Sequence, residues 1–200
     1  MTVDEVSFVT PDLPLLQRLL PVARRIFSET FGADYDPVEF EKFCDGVYLP
    51  GGSMARDFEA PAVRWQVAAI KGEPIGYAKL TPLRAPFPNA ALGAVELQQI
   101  YVVPEWHGRG VANRLMDWGL ITARAMGAPE VYLTVFDHNE RAKRFYARHG
   151  FEEVGRCTFR LGNRLDDDRI WRLSLPASSH AATVRRGHVK ACDGSELEFG

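Results

Sequence analysis

The residues with the most chemistry to offer run His107-Gly108-Arg109-Gly110-Val111-Ala112-Asn113. They stand between a stretch that alternates like a strand and one that repeats like a helix. Backbone N–H groups at a helix start have no intrahelical partner and carry partial positive charge. Small residues let a phosphate come close to them. Gly110 and Ala112 meet that need, and Arg109 and Arg114 add charge. An ordinary glycine-containing strand-to-helix turn is the competing reading. No Gly-Lys-Ser/Thr follows, so the turn is not a P-loop. Gly108 and Gly110 fit the first two glycines of a dinucleotide fingerprint, but Asn113 holds its third place. A second candidate is Glu96, the only charged residue on what reads as a central strand. A carboxylate there needs a polar cleft to face or a strand end to occupy.

The elements that must position these groups follow from periodicity. Val6–Val9 reads as a short opening strand. From Asp12 to Thr30 the apolar residues Leu15, Leu16, Leu19, Leu20, Ala23, Ile26 and Phe27 recur at three- and four-residue steps, one face of a helix. Pro21 inside it predicts a kink or a break. Gly32 ends it, and Pro37 opens a second helix. Pro50, Gly51 and Gly52 make a loop. Residues 64–70 and 75–81 read as a hairpin. A long strand covers 94–103, with Val95, Leu97, Gln99 and Tyr101 on one side and Glu96, Gln98, Ile100 and Val102 on the other. A helix with Val111, Leu115, Trp118, Ile121 and Ala125 on one face leads to Gly127. A buried strand follows at 130–136. Asn139 caps a short helix over 140–149, which Gly150 ends. Strands near 153–161 and 170–175 close the pattern, with Gly162 and Asn163 between them. The strand–helix–strand unit at 94–136 requires a right-handed crossover and parallel neighbours, and the hairpins require antiparallel ones. The fold class is therefore α/β, a mixed sheet with helices on both faces.

Composition excludes several functions. The chain has 200 residues, 46% hydrophobic and 25% charged, the balance of one globular domain. Its three cysteines form no CxxC pair, which argues against a zinc ribbon or a disulfide framework. No apolar run approaches the ~20 residues of a membrane span, and the acidic N-terminus is not a signal peptide. With 24 basic and 26 acidic residues there is no whole-protein field for nucleic acid. His138 and His149 lack metal-ligand spacing, so no metal is expected. A cytoplasmic protein of one domain, 1–175, is the expectation. Residues 176–200 read as a mobile tail, with a partner-binding segment as the alternative.

The glycine turn resembles the acetyl-CoA signature of the GNAT acyltransferases, Gln/Arg-x-x-Gly-x-Gly/Ala. His107 stands at the Gln/Arg position, Gly110 at the first glycine and Ala112 at the Gly/Ala position. The strand Leu97-Gln98-Gln99-Ile100-Tyr101-Val102-Val103-Pro104 is similar to the family's fourth strand. The block from Asn139 through Phe145-Tyr146 to Gly150-Phe151 is similar to its Asn…Phe-Tyr…Gly-Phe motif. The resemblance covers about residues 5–175, and the two motifs together are far more specific than either alone. Within the family the chain resembles bacterial spermidine/spermine N-acetyltransferases. Val95-Glu96-Leu97, the Phe136–Ala142 turn, Thr158–Gly162 and Asp167–Ile170 carry that likeness.

The resemblance implies a GNAT-like fold with a mostly antiparallel mixed sheet, and acetyl-CoA as co-substrate. The backbone of Ile100, Tyr101 and Val102 would pair with the pantetheine arm. The amides of Gly108, Arg109, Gly110, Val111, Ala112 and Asn113 would hold the pyrophosphate. Asn139 would contact the pantetheine. Tyr146 would give a proton to the departing thiolate, the competing reading being a core tyrosine beside Phe145. Seven residues separate Asn139 from Tyr146, so both face one side of a helix. Glu96 is the candidate base for the attacking amine. The position that some protein-acetylating relatives use for a base corresponds to Thr134, which cannot serve. Cys44 and Cys157 lack an evident partner, which favours direct attack in a ternary complex over an acyl-cysteine route.

The acceptor is read from charge. Glu29 to Asp45 holds six acidic residues and one lysine. In the fold that the resemblance implies, the first two helices wall the acceptor cleft. Glu29, Asp34, Tyr35 and Asp36 are then candidates to receive a small-molecule amine, polyamines first. Solvated helix ends are the competing reading. Asp166–Asp168 form a second acidic run in the last hairpin. The alternative functions are a protein or peptide N-acetyltransferase and a non-catalytic acyl-CoA sensor. Folds of this kind often pair through late strands, which makes a homodimer the oligomer to test.

Overall fold

The computed structural model describes residues 3–85, 87 and 89–176. Strand β1 (Ser7–Val9) leads into helix α1 (Leu13–Phe31), then α2 (Pro37–Tyr48) and α3 (Ser53–Glu59). Strands β2 (Arg64–Ile70), β3 (Glu73–Pro82) and β4 (Val95–Val102) follow. Helix α4 (Val111–Ala125), β5 (Glu130–Phe136), α5 (Glu140–Arg148), β6 (Glu152–Leu161) and β7 (Arg164–Ser174) complete the order. The seven strands form one sheet in the order β1-β2-β3-β4-β5-β7-β6. β4 and β5 are parallel and every other pair is antiparallel. The mixed, mostly antiparallel sheet expected from the sequence is the sheet observed. Among the described residues no helix is long and apolar enough to cross a membrane. The expected tail lies outside the described residues from 177 onward.

Local chemistry explains the helix starts. Asp12 accepts from the Leu15 amide at 2.9 Å and opens α1. Asp36 accepts from the Val38 and Glu39 amides at 3.0 and 3.1 Å, with Pro37 in the first turn of α2. Two sequence expectations need correction, and one element lies outside them. Pro21 does not break α1: it and Gln17, whose carbonyl loses its partner, are both exposed, so water can satisfy that oxygen. Residues 53–59, which carry no periodic signal, form the short helix α3. β7 begins at Arg164, six residues before the expected start at Ile170, because the hairpin turn needs only Gly162 and Asn163. The second acidic run is therefore part of a strand and not of a loop.

The alternation read for β4 also changes midway. Leu80 lies opposite Leu97 and Lys79 opposite Gln99, so Gln98 is an extra residue, a β-bulge. The bulge reverses the phase of the residues after it. Glu96, Gln99 and Tyr101 then lie opposite Thr81, Lys79 and Tyr77 on one face, with α1, α2 and α3. Val95, Leu97, Ile100 and Val102 share the other face, which packs on Leu115, Met116 and Ala123 of α4. The bulge thus brings Glu96 and Tyr101 to one side, where strict alternation would have separated them.

Candidate active site

β4 and β5 pair at Val95–Val131 and Glu96–Tyr132 only. Beyond those residues they splay, and a cavity of about 880 Å³ opens between them. Its wall runs along β4 from Glu96 to Val102 and along β5 from Thr134 to Phe136. Gly108 and Gly110 have φ of +74° and +83°, a region open to glycine and strained for other residues. Gly110 is the N-cap of α4 and offers no side chain to its first amides. Gly108, Gly110, Ala112 and Asn113 line the cavity. The side chains of Val111 and Arg109 do not: Val111 is in the core, and the Arg109 guanidinium lies 5.4 Å from the centre of the Trp106 ring. Val111 can serve a ligand through its backbone alone.

His107 departs from the family pattern, and its geometry shows what it does instead. Its Nε2 is 2.7 Å from the Val102 carbonyl and its Nδ1 2.8 Å from the Arg141 guanidinium. A carbonyl only accepts, so Nε2 carries the proton and Nδ1 accepts from Arg141. The ring ties the end of β4 to the first turn of α5 and holds Arg141 on the cavity wall. Asn139 Oδ1 accepts from the Ala142 amide at 3.0 Å, which caps α5, while the residue also lines the cavity. Its NH2 group remains for another partner. Tyr146 is 9% exposed, with Phe145 and Phe151 rings at 5.6 and 6.0 Å. Burial, with a smaller contribution from Tyr101, holds its hydroxyl well above the usual tyrosine range. The group stays protonated at neutral pH, a proton donor and not a base.

Glu96 is 4% exposed and lines the same cavity. Its carboxylate accepts from the Arg84 and Ala85 amides at 2.8 and 3.4 Å. Burial raises its pKa, and those two amides counter part of the rise. A neighbouring carboxylate is spoken for. Asp57 of α3 meets Lys79 at 2.7 Å and takes both ends of the Arg84 guanidinium at 2.7 and 2.8 Å. Burial would raise its pKa, but these hydrogen bonds hold it below the usual carboxylate range.

The acidic stretch of the first helices sits elsewhere than expected. Glu29 pairs with Arg25 at 3.9 Å on the outside of α1. Asp36 caps α2, and the carbonyl of Asp34 accepts from Arg164. Arg24 draws in Glu41 and Asp45. Glu29, Asp34 and Asp36 do not line the cavity: Arg25 takes the Glu29 carboxylate, the α2 cap takes that of Asp36, and Asp34 meets Arg164 through its backbone carbonyl; Tyr35 does line it. The Tyr35 hydroxyl donates to Asp166, which also accepts from Arg164 at 2.7 Å. The carboxylates that face the cavity are Asp57, Glu96, Asp166 and Asp168. Two signals pointed to those missed by sequence reasoning. Lys79 is a lone cation in an apolar strand and requires a buried anion. Asp166 and Asp168 are two apart, which puts them on one face once they belong to a strand.

The family model "Acetyltransferase (GNAT) family" matches residues 20–151. An uncharacterized N-acetyltransferase of Mycobacterium tuberculosis is 35% identical over 152 residues, 76% of this chain and 92% of that one. PaiA N-acetyltransferase from Thermoplasma acidophilum, solved with coenzyme A, superposes with a TM-score of 0.69 at 18% identity, over 85% of this chain and 99% of its own. YncA of Salmonella typhimurium, a putative acetyltransferase solved with acetyl-CoA, gives 0.66 at 17% identity over 89% and 97%. The chain belongs to the GNAT family and is an acetyl-CoA-dependent N-acetyltransferase. The splayed strands and the uncapped glycine turn fit that co-substrate: one leaves backbone groups of β4 without a ladder partner, the other leaves amides without a side-chain cap.

Proposed function

We propose that this acetyltransferase acts on a primary amine, polyamines first, by direct attack with both substrates bound. The observation that carries the reading is the convergence of Glu96 and Tyr146 on one cavity. Acetyl-CoA supplies the acetyl group as a thioester. The amides of residues 108–113 hold its phosphates, and Arg141 adds charge. The edge of Ile100, Tyr101 and Val102 takes the pantetheine arm as an added strand, with the Asn139 NH2 group beside it. A primary amine has a pKa near ~10 and is mostly ammonium at neutral pH. Glu96 takes one proton from it, and its raised pKa makes it a better base than a solvated glutamate. As the C–N bond forms and the C–S bond breaks, the Tyr146 hydroxyl gives its proton to sulfur. The second nitrogen proton returns to that oxygen through water.

Direct attack is supported by the cysteines. Neither described cysteine lines the cavity, and burial with the fields of Asp168 and Glu96 pushes the Cys157 thiol up to about 11. A polyamine is supported by the cavity carboxylates, together with the likeness noted in the sequence. The test is thiol release from acetyl-CoA against spermidine, spermine, an aminoglycoside, amino acids and basic peptides. Release above the hydrolysis blank with the polyamines is the expected result. Release with basic peptides alone would replace the polyamine with a protein acceptor.

A further inference from the structure

We infer that Asp168 is the residue that selects acceptors with a second positive charge: the remote ammonium of a diamine or polyamine rests on its carboxylate while the near amine reacts. The inference rests on the polyamine reading above and assigns that reading a specificity residue. Four carboxylates face the cavity, and their partners differ. Asp57 has Lys79 and Arg84. Asp166 has Arg164 and the Tyr35 hydroxyl. Glu96 has two backbone amides and is the proposed base. The Asp168 carboxylate takes no hydrogen bond and no ion pair from any described residue.

Its surroundings do not satisfy the charge. In the sheet it lies opposite Phe136 on β5 and Cys157 on β6. Burial, reinforced by the like charges of Asp166 and Asp167, raises its pKa to about 6. A partly desolvated carboxylate without a counterion is unfavourable in the free protein. A bound cation relieves it. Asp168 and Glu96 line the same cavity. Phe31, Phe43, Phe136 and Phe159 line it as well. Phe31 meets Phe136 edge-on at 6.3 Å, and Phe43 meets Phe159 at 5.8 Å. Such walls suit methylenes and tolerate a cation against their faces. A carboxylate without a counterion, aromatic walls and a base in one cavity are the groups an α,ω-diamine requires.

The experiment compares kcat/KM for a series of α,ω-diamines, and spermidine, with that for monoamines of matching chain length. Asp168→Asn is expected to lower the diamine-to-monoamine ratio at least about ten-fold, the equivalent of one ion pair. Asp168→Glu, which keeps the charge, should retain part of the preference. An unchanged ratio in Asp168→Asn, with the wild type active on diamines, overturns the inference and leaves the polyamine reading standing. A wild type that ignores diamines and spermidine overturns the polyamine reading itself. Loss of acetyl-CoA affinity in Asp168→Asn, read by calorimetry, would show a structural role and also overturn it.

Discussion

The sides of the cavity that we assign to donor and acceptor are built by different rules. The donor side comes from β4, the turn after it and α5, and most of its chemistry is backbone: two positive-φ glycines and an uncapped helix start. The acceptor side is assembled from α1, α2, α3, β3, β4 and β7, and its chemistry is side-chain: Tyr35, Asp57, Lys79, Arg84, Asp166 and Asp168. Backbone geometry is specified locally, so it leaves a mark in a short stretch of sequence. A buried ion pair between α3 and β3 marks only one of its members: Lys79 in an apolar strand calls for an anion, but nothing local names Asp57, 22 residues away.

The largest expected effect would break the acceptor side alone. Asp57→Ala strips Lys79, 4% exposed, of its anion and leaves a charge buried without a partner. Loss of such a partner destabilises by about 3–5 kcal/mol. Urea denaturation should show that loss, and adding Lys79→Met should recover part of it. If Asp57→Ala unfolds like the wild type, the acceptor side is not held by this ion pair. The next effect belongs to the chemistry. Tyr146→Phe should lower kcat about 100-fold, roughly 2.7 kcal/mol, with acetyl-CoA affinity near wild type. Glu96→Gln should lower it as much. In the wild type the acid limb of kcat/KM should then fall through a pKa above the ordinary glutamate range, because Glu96 must be ionised to accept a proton. An acid limb at the ordinary value would remove Glu96 as the base.

The same division decides what the sequence made legible. The family, the mixed sheet and the placement of Gly108, Gly110, Asn139 and Tyr146 on one wall could all be read, since each rests on a local signal: a glycine where φ is positive, a cap, or a period. The acidic wall could not. Glu29, Asp34 and Asp36 were the densest charge near the expected cleft. Density does not show which carboxylates a helix cap or an arginine has already taken. Asp57 lay in a helix with no periodic signal, and Asp168 became visible only when β7 proved longer than its apolar end. The phase of β4 was lost at a single bulged residue, Gln98, which no residue type announces.

Two glycines sharpen the comparison at smaller cost. Gly110 on the donor side has open space where a Cβ would go. Ala there meets only the left-handed backbone penalty, about 1 kcal/mol. Gly162 in the β6–β7 turn also has positive φ, but an added Cβ would stand 2.7 Å from the Glu39 Cβ of α2. Gly162→Ala must strain the backbone and displace a second element, so it should lose about 2 kcal/mol. Thermal melts of the two variants measure both. Equal losses would mean that the hairpin and α2 do not constrain each other.

The smallest effect has the sharpest sign. The folded-state pKa of Asp168 is about 6, above the ordinary aspartate value of about 3.9. Between those values the folded protein binds more protons than the unfolded chain, so stability falls as pH rises through the window. The penalty is absent below about pH 4 and complete above about pH 6. Asn carries no charge and escapes it. Asp168→Asn should therefore melt with the wild type at low pH and above it at neutral pH. Solvent still reaches this carboxylate, so the gain is about 1 kcal/mol, or roughly 2–4 °C in Tm. A substitution that stabilises the protein while weakening its choice of acceptor is the behaviour of a group kept for its ligand. A carboxylate that served the fold would do the opposite: its removal would lower Tm at neutral pH, and Asp168 would then belong with Asp57 among the partnered acids of that side.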